Sequence, residues 1–105
     1  MENEFIEDED VIEDVPPKRI RFPKITFSGK DYDQVVLRPP SVGALMEAQK
    51  LGDVAGVVHL IHRVSGMPNP ICQLLRPEVI TKAGEYFARF LPPDPKAAGG
   101  GSPPA

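Results

Sequence analysis

The segment Val35-Val36-Leu37-Arg38-Pro39-Pro40-Ser41-Val42-Gly43-Ala44-Leu45 decides the fold of this chain, because a β-branched run ends there in two prolines. Proline lacks the N–H group that a central strand requires, and it forces the preceding residue toward extended geometry. Ser41 follows at once, and its hydroxyl can accept a hydrogen bond from the first turn of a helix. The segment therefore predicts a change from strand to helix within about three residues.

A β-hairpin is predicted immediately before this junction. Residues 25–27 alternate in the manner of a strand, residues 34–37 form the second strand, and glycine and aspartate between them favour a turn. Ile25 and Phe27 would share one face, with Val35 and Leu37 opposite them. Ile20 and Phe22 are out of phase with that face and are separated from it by Pro23, so an irregular lead-in at the sheet edge is expected.

Three helices are predicted after the junction, at residues 42–51, 54–64 and 77–91, with Asp53 as the N-cap of the second. A single helical turn is expected after Asn69. In the first helix, the side chains expected to point inward are those of Val42, Leu45, Met46 and Gln49. The residues predicted to form the core are Ile25, Phe27, Val35, Val57, Val58, Ile61, Val64, Val79, Ile80, Ala83, Phe87, Phe90 and Leu91.

These elements predict an α+β fold, in which a small N-terminal β-hairpin precedes a bundle of about three short helices. Residues 1–19 are expected to form a disordered acidic arm and a basic linker, and residues 20–91 the folded domain. Residues 92–105 are rich in glycine and proline and are expected to form a flexible tail. A folded part of this size is marginally stable alone, which favours a protein that relies on a partner or on copies of itself.

Charge is distributed unevenly along the chain. Residues 2–14 contain eight acidic and no basic residues, whereas residues 15–105 contain twelve basic and seven acidic residues, a balance of +5. A like-charge block of this kind usually stays solvated, so the arm is interpreted first as a solubilising segment. The alternative is a detachable arm that covers a basic surface, for which Lys18-Arg19-Ile20-Arg21 is the nearest candidate.

The folded part offers little chemistry, and no catalytic residue, metal site or cofactor is predicted. His59 and His62 lie three residues apart on one helix, but no third ligand is suggested by spacing, so they are interpreted as boundary histidines. Cys72 is the only cysteine and lies among apolar residues, where a free thiol is usually buried. No apolar run approaches the ~20 residues of a membrane span. A soluble, non-enzymatic protein without a membrane partner is expected.

Nucleic acid is also considered as a partner. Lys18, Arg19, Arg21 and Lys24, with Phe22 between them, could contact phosphates and stack on a base. The eight acidic residues nearby would repel phosphate, so a solvated linker is the preferred interpretation and nucleic-acid binding is not expected.

The order of these elements resembles the tail assembly chaperones of Mu-like and related long-tailed phages. In that family a strand ends in a leucine-arginine-proline sequence followed by a small residue, glycine and an apolar residue. The positions that carry the resemblance, and that are also candidates for partner binding, are Leu37, Arg38, Pro39, Pro40, Ser41, Gly43 and Leu45. Residues 57–67, with Ser65-Gly66, and the helix that ends in Phe90-Leu91 resemble later elements, so that residues 24–91 are covered.

The resemblance implies a non-enzymatic assembly factor that binds the tape-measure protein and keeps it soluble until the tail tube polymerises. It implies action in the host cytoplasm and absence from the mature virion. The tail-tube protein is a second candidate partner, and homo-oligomerisation is left open. The competing interpretation is a small phage regulatory or nucleic-acid-binding protein with an acidic arm.

Overall fold

The computed structural model describes residues 8–91 and has the expected α+β architecture. The elements are β1 (Lys18–Phe27), β2 (Lys30–Leu37), α1 (Val42–Leu51), α2 (Asp53–Ser65), α3 (Asn69–Cys72) and α4 (Pro77–Ala88). A two-stranded antiparallel sheet thus precedes four helices, of which α3 is a single turn. Residues 1–7 of the predicted acidic arm and the predicted tail at 92–105 lie outside the described residues.

The hairpin is longer and its turn is tighter than predicted. Ser28 and Gly29 alone connect the strands, and both have positive φ angles, of 52° and 76°. A two-residue connection with this backbone twist matches the twist of the flanking strands. Lys30 is therefore already paired with Phe27, at a position that was expected to belong to the turn.

The phase of β1 corrects the predicted sheet face. The pairing register shifts between Arg21 and Ile25, around Pro23, which has no N–H to donate to the ladder. Three residues of β1 stand opposite the single residue Asp33 of β2, and the two additional residues leave the alternation of β1 intact. Ile20 and Phe22 therefore lie on the same side of the sheet as Val35 and Leu37 and are buried in the core. The prediction that Phe27 lies in the core is wrong, because its side chain is 39% exposed near the hairpin turn.

The change from strand to helix occurs where it was predicted. Leu37 ends β2 with no exposed surface, and Ser41 has extended backbone geometry before α1. The Ala44 N–H donates to Ser41 Oγ at 3.1 Å, and the Leu45 N–H donates to the Ser41 carbonyl at 3.0 Å. Ser41 therefore caps α1 and satisfies one of the donors left free by the first helical turn.

The end of α1 is followed at once by α2. Gly52 joins them with a φ of 96°, a conformation that favours glycine. Gly52 also takes the N-cap position that was predicted for Asp53, which is instead the first residue of α2 and makes no capping hydrogen bond. The turn places α1 against α2, and these two helices make the most extensive helix–helix contact among residues 8–91.

The core lies between the sheet, α2, α3 and α4. Its buried side chains are Ile20, Phe22, Val35, Leu37, Ala44, Ala48, Leu60, Ile61, Met67, Ile71, Cys72, Leu75, Val79, Ala83, Tyr86 and Phe87. Six of the predicted core residues are half-buried against it, namely Ile25, Val57, Val58, Val64, Ile80 and Phe90. Leu91 was also predicted to be in the core, but it follows the end of α4 and is 39% exposed.

Candidate partner-binding surface

The strand-to-helix junction mainly builds the fold. Leu37 is buried, Ser41 caps α1, and Leu45 is half-buried against the core. Arg38 is exposed, as its alternation with Leu37 predicts. An added Cβ at Gly43 would meet nothing closer than Ser41 Oγ at 3.8 Å, so glycine is not required there by close packing.

The surface of the junction is a shallow notch of about 210 Å³. Arg38, Pro39 and Pro40 line one part of it, and Arg63 of α2 lines the other. Of the candidate partner-binding residues in the junction, Arg38, Pro39, Ser41 and Gly43 are exposed, whereas Leu37 is buried and Pro40 and Leu45 are half-buried.

Helices α1 and α2 approach each other closely through small residues. Ala44 and Ala48 are the buried residues of α1, and Gly56 is buried on α2. A Cβ added at Gly56 would lie 2.6 Å from the Ala48 carbonyl oxygen, a distance that backbone atoms do not tolerate. The contact therefore depends on glycine at this position, and it determines which face of α1 is turned toward the body.

As a result, the face of α1 that the sequence predicted to be inward is largely exposed. Val42 is 72% exposed and Met46 is 57% exposed, while Gln49 is also exposed and Leu45 is half-buried. These four residues follow the i, i+3, i+4, i+7 spacing of one helical stripe. We refer to Val42, Leu45, Met46 and Gln49 as the outer face of α1.

Glu47 of α1 supports this orientation through polar contacts with α2. Its carboxylate accepts a hydrogen bond from His59 Nε2 at 2.8 Å and pairs with the guanidinium of Arg63, both on α2. The hydrogen bond from His59, followed by the charge of Arg63, lowers the pKa of Glu47 below its usual value. The charged form of the carboxylate is thus favoured, and its contacts with His59 and Arg63 link α1 to α2.

An apolar groove of about 380 Å³ lies beside the outer face, between the end of α1, α2 and α4. Val57, Leu60, Phe87 and Leu91 contribute its apolar side chains, and Gly84 opens its floor. Gln49 belongs both to the outer face and to the groove wall. The outer face of α1 and this groove adjoin at Gln49, and together they are the candidate surface for a helical or apolar partner.

The histidines and the cysteine are used structurally. His62 Nδ1 donates to the Met67 carbonyl at 2.7 Å, which supports the turn after α2, and His59 is bound to Glu47. Cys72 is buried, and its burial raises the pKa of the thiol to about 11. Among residues 8–91, no group of three potential ligands could hold a metal ion, and no helix is long and apolar enough to span a membrane.

The model of the family described as "Phage tail assembly chaperone proteins, E, or 41 or 14" matches residues 19–92. The chain belongs to this family. Comparison with curated proteins and with solved structures gives no match. The family match extends from β1 to the end of α4, so the hairpin and all four helices belong to the tail assembly chaperone unit.

The accessible surface of this tail assembly chaperone was not located by hydrophobic periodicity. The outer face of α1 has the spacing of a buried stripe, and periodicity alone interprets it as core. The informative signal was the pair of small residues, Ala44 and Ala48, together with Gly56 on the next helix. Small residues at this spacing let two helices approach closely and leave the larger side chains of α1 on the opposite side.

Proposed function

We propose that this tail assembly chaperone binds the tape-measure protein of its phage and keeps it soluble until tail-tube subunits polymerise around it. The observation that carries the proposal is the outer face of α1, where Val42 and Met46 are exposed at helical spacing. Membership of the tail assembly chaperone family supports a role in tail assembly and partners among tail proteins.

The chemistry of the surface suits a long helical partner. An apolar helix can lay its own i, i+3, i+4, i+7 stripe against the outer face and into the neighbouring groove. Such binding covers apolar side chains of the partner that would otherwise associate with other copies of it. A small surface also permits release, because incoming tail-tube subunits can replace these contacts by larger ones.

The protein acts without catalysis, in the host cytoplasm, and is not retained in the mature virion. The tail-tube protein is the second candidate partner, since it must displace the chaperone at the tape measure. The core of this proposal is binding of an apolar helical chain, and that step can be tested directly.

The test is co-expression of the chaperone with the tape-measure protein of the same phage, followed by separation of soluble and insoluble fractions. The unaltered chaperone is expected to raise the soluble share of the tape measure. The double variant Val42→Lys, Met46→Lys should fold normally but lose the rescue, because both side chains are exposed and charge would disrupt apolar contact. Leu74→Lys is the matched control, since Leu74 is an exposed leucine outside α1 and the groove.

Salt dependence separates this function from the competing one. A complex based on apolar burial should survive moderate salt, because screening acts on exposed charges rather than on buried apolar area. If the tape measure stays insoluble with the unaltered chaperone, while the purified protein binds duplex DNA with steep salt dependence, the regulatory interpretation replaces the chaperone one. Equal loss of rescue in the Leu74→Lys control would place the binding surface elsewhere.

A further inference from the structure

The acidic segment that precedes β1 is attached to the body at a defined point. Val15 is half-buried against the core, and the Tyr86 hydroxyl of α4 donates to the Pro16 carbonyl at 3.1 Å. Tyr86 itself is buried. The chain N-terminal to Val15 therefore leaves the body from a fixed position beside α4 and the start of β1.

Basic side chains surround this attachment point. Lys18 is paired with Leu37, so that Arg38 lies directly beyond the end of the ladder and next to the start of β1. Arg19 follows on the same strand, and the guanidinium of Arg89 lies 5.2 Å from the centre of the Tyr86 ring. Burial raises the pKa of the Tyr86 hydroxyl, and the charges of Arg89 and Arg38 oppose that rise. We refer to Lys18, Arg19, Arg38 and Arg89 as the basic surface.

These four cations are exposed and have no acidic partner within residues 8–91. The ion pairs in that part of the chain join Lys24 to Asp31 and Glu47 to His59 and Arg63. The basic surface thus retains its positive charge at the position where the acidic segment begins. A cluster of positive charges attracts a nearby anionic segment.

Residues 8–14 have the complementary chemistry. Five of the seven are acidic, and the other two are Val11 and Ile12, of which Ile12 is 92% exposed. A fully extended segment of this length reaches about 23–25 Å from Val15, which is sufficient to fold back over a surface at its own root. A purely solubilising segment would have no use for two bulky apolar side chains among its carboxylates.

We propose that residues 8–14 dock on the basic surface of their own chain, as an acidic strap that pairs its carboxylates with Lys18, Arg19, Arg38 and Arg89. The strap shields this surface from other polyanions, and its attachment at Pro16 makes the docking intramolecular. Because the pairs are exposed, docking is reversible and is weakened by salt. The basic surface shares no residue with the outer face of α1, for which tape-measure binding is proposed.

Paramagnetic broadening in NMR spectra tests this docking in the full chain. A nitroxide is attached to Asp8→Cys, which leaves four acidic residues in the segment. Cys72 is buried and is expected to stay unlabelled, which mass spectrometry checks. With docking, the amide signals of Val36, Arg38 and Arg89 lose at least about half of their intensity at about 0.01 M salt and recover at about 1 M.

Two matched variants assign the effect to the surface. Arg19→Gln with Arg38→Gln should restore the signals of Val36 and Arg89 at low salt, whereas Lys50→Gln with Lys82→Gln removes the same charge from other exposed positions and should change little. Broadening that does not respond to salt, or responds equally in both variants, overturns the proposal. In a mixture, molecules that carry the nitroxide are not isotope-enriched, and the enriched molecules carry no nitroxide. Equal broadening of the enriched molecules in that mixture would assign the strap to a second copy and would also overturn the proposal.

Discussion

Helices α1 and α4 are both rich in apolar residues, but they use them in opposite ways. Helix α4 buries its large side chains, with Val79, Tyr86 and Phe87 turned into the core. Helix α1 buries only Ala44 and Ala48, leaves Leu45 half-buried and exposes Val42, Met46 and Leu51. One helix therefore supplies stability, whereas the other supplies an accessible apolar surface.

The difference has a physical origin in side-chain size. Full burial of a large apolar side chain contributes about 1.5–3 kcal/mol, and alanine contributes less because it has less area to bury. Helix α1 consequently obtains modest stabilisation from its packing on α2 and keeps its larger apolar area available. This arrangement suits a chaperone, since the area that we propose for partner binding is then separate from the area that holds the fold together.

The largest expected effect is that of truncating a buried side chain of α4. Phe87→Ala should lower the free energy of unfolding by about 3–5 kcal/mol, because Phe87 is almost completely buried and a cavity would remain. Met46→Ala on the outer face of α1 should change it by less than about 0.5 kcal/mol. Urea denaturation of both variants measures the difference. If both variants lost a similar free energy of unfolding, the outer face of α1 would be packed as tightly as the buried face of α4.

The next effect concerns the contact that orients α1. Gly56→Ala should destabilise the protein by about 1–3 kcal/mol, since its Cβ would be forced against the Ala48 carbonyl. Gly84→Ala is the control, because the nearest atom to its Cβ would be Val57 Cγ2 at an ordinary 3.8 Å. That control should be neutral or stabilise α4 by up to about 1 kcal/mol through helix propensity. The comparison is made by thermal and urea unfolding, and a tolerated Gly56→Ala would remove the steric explanation for the orientation of α1.

A smaller loss is expected at the start of α1. Ser41→Ala removes the hydroxyl that accepts from the Ala44 N–H and should cost about 1 kcal/mol. Ser41→Asp keeps a capping oxygen and should retain most of the stability. Hydrogen exchange of the first turn of α1 measures the effect locally, and unchanged protection in Ser41→Ala would contradict the capping role.

The smallest effect is the dependence of the α1–α2 contact on pH. The pKa of Glu47 is lowered in the folded protein, so this group adds stability above its unfolded value of 4.5 and loses it as the pH falls through the folded pKa. Glu47→Gln should therefore be less stable than the unaltered protein at neutral pH and nearly equal to it at about pH 3. Unfolding midpoints at both pH values test this. Since Glu47 is exposed, added salt should reduce the difference.

Local signals located the secondary structure well. The β-hairpin, the junction at Ser41, the start of α1 and the start of α4 at Pro77 were predicted and are present. What periodicity could not provide was the orientation of α1, because the spacing of Val42 and Met46 is the same for a buried stripe and for a binding stripe. The core face of β1 was missed for a related reason, since Ile20 with Phe22 and Ile25 with Phe27 both alternate as apolar pairs. Only the pairing register shows that Ile20 lies beside Val35 on the core side.

The sequence by itself therefore determined the order and type of the elements, the junction at Ser41, the start of α4 at Pro77 and that the fold is α+β. Proline, glycine and capping residues act on neighbours within about one helical turn, so their effects do not depend on the rest of the molecule. Only the tertiary structure decided which face of α1 is buried and which side of β1 meets the core. Those choices depend on the contact between Ala48 and Gly56 and on the pairing register of the hairpin, which bring together residues from different elements.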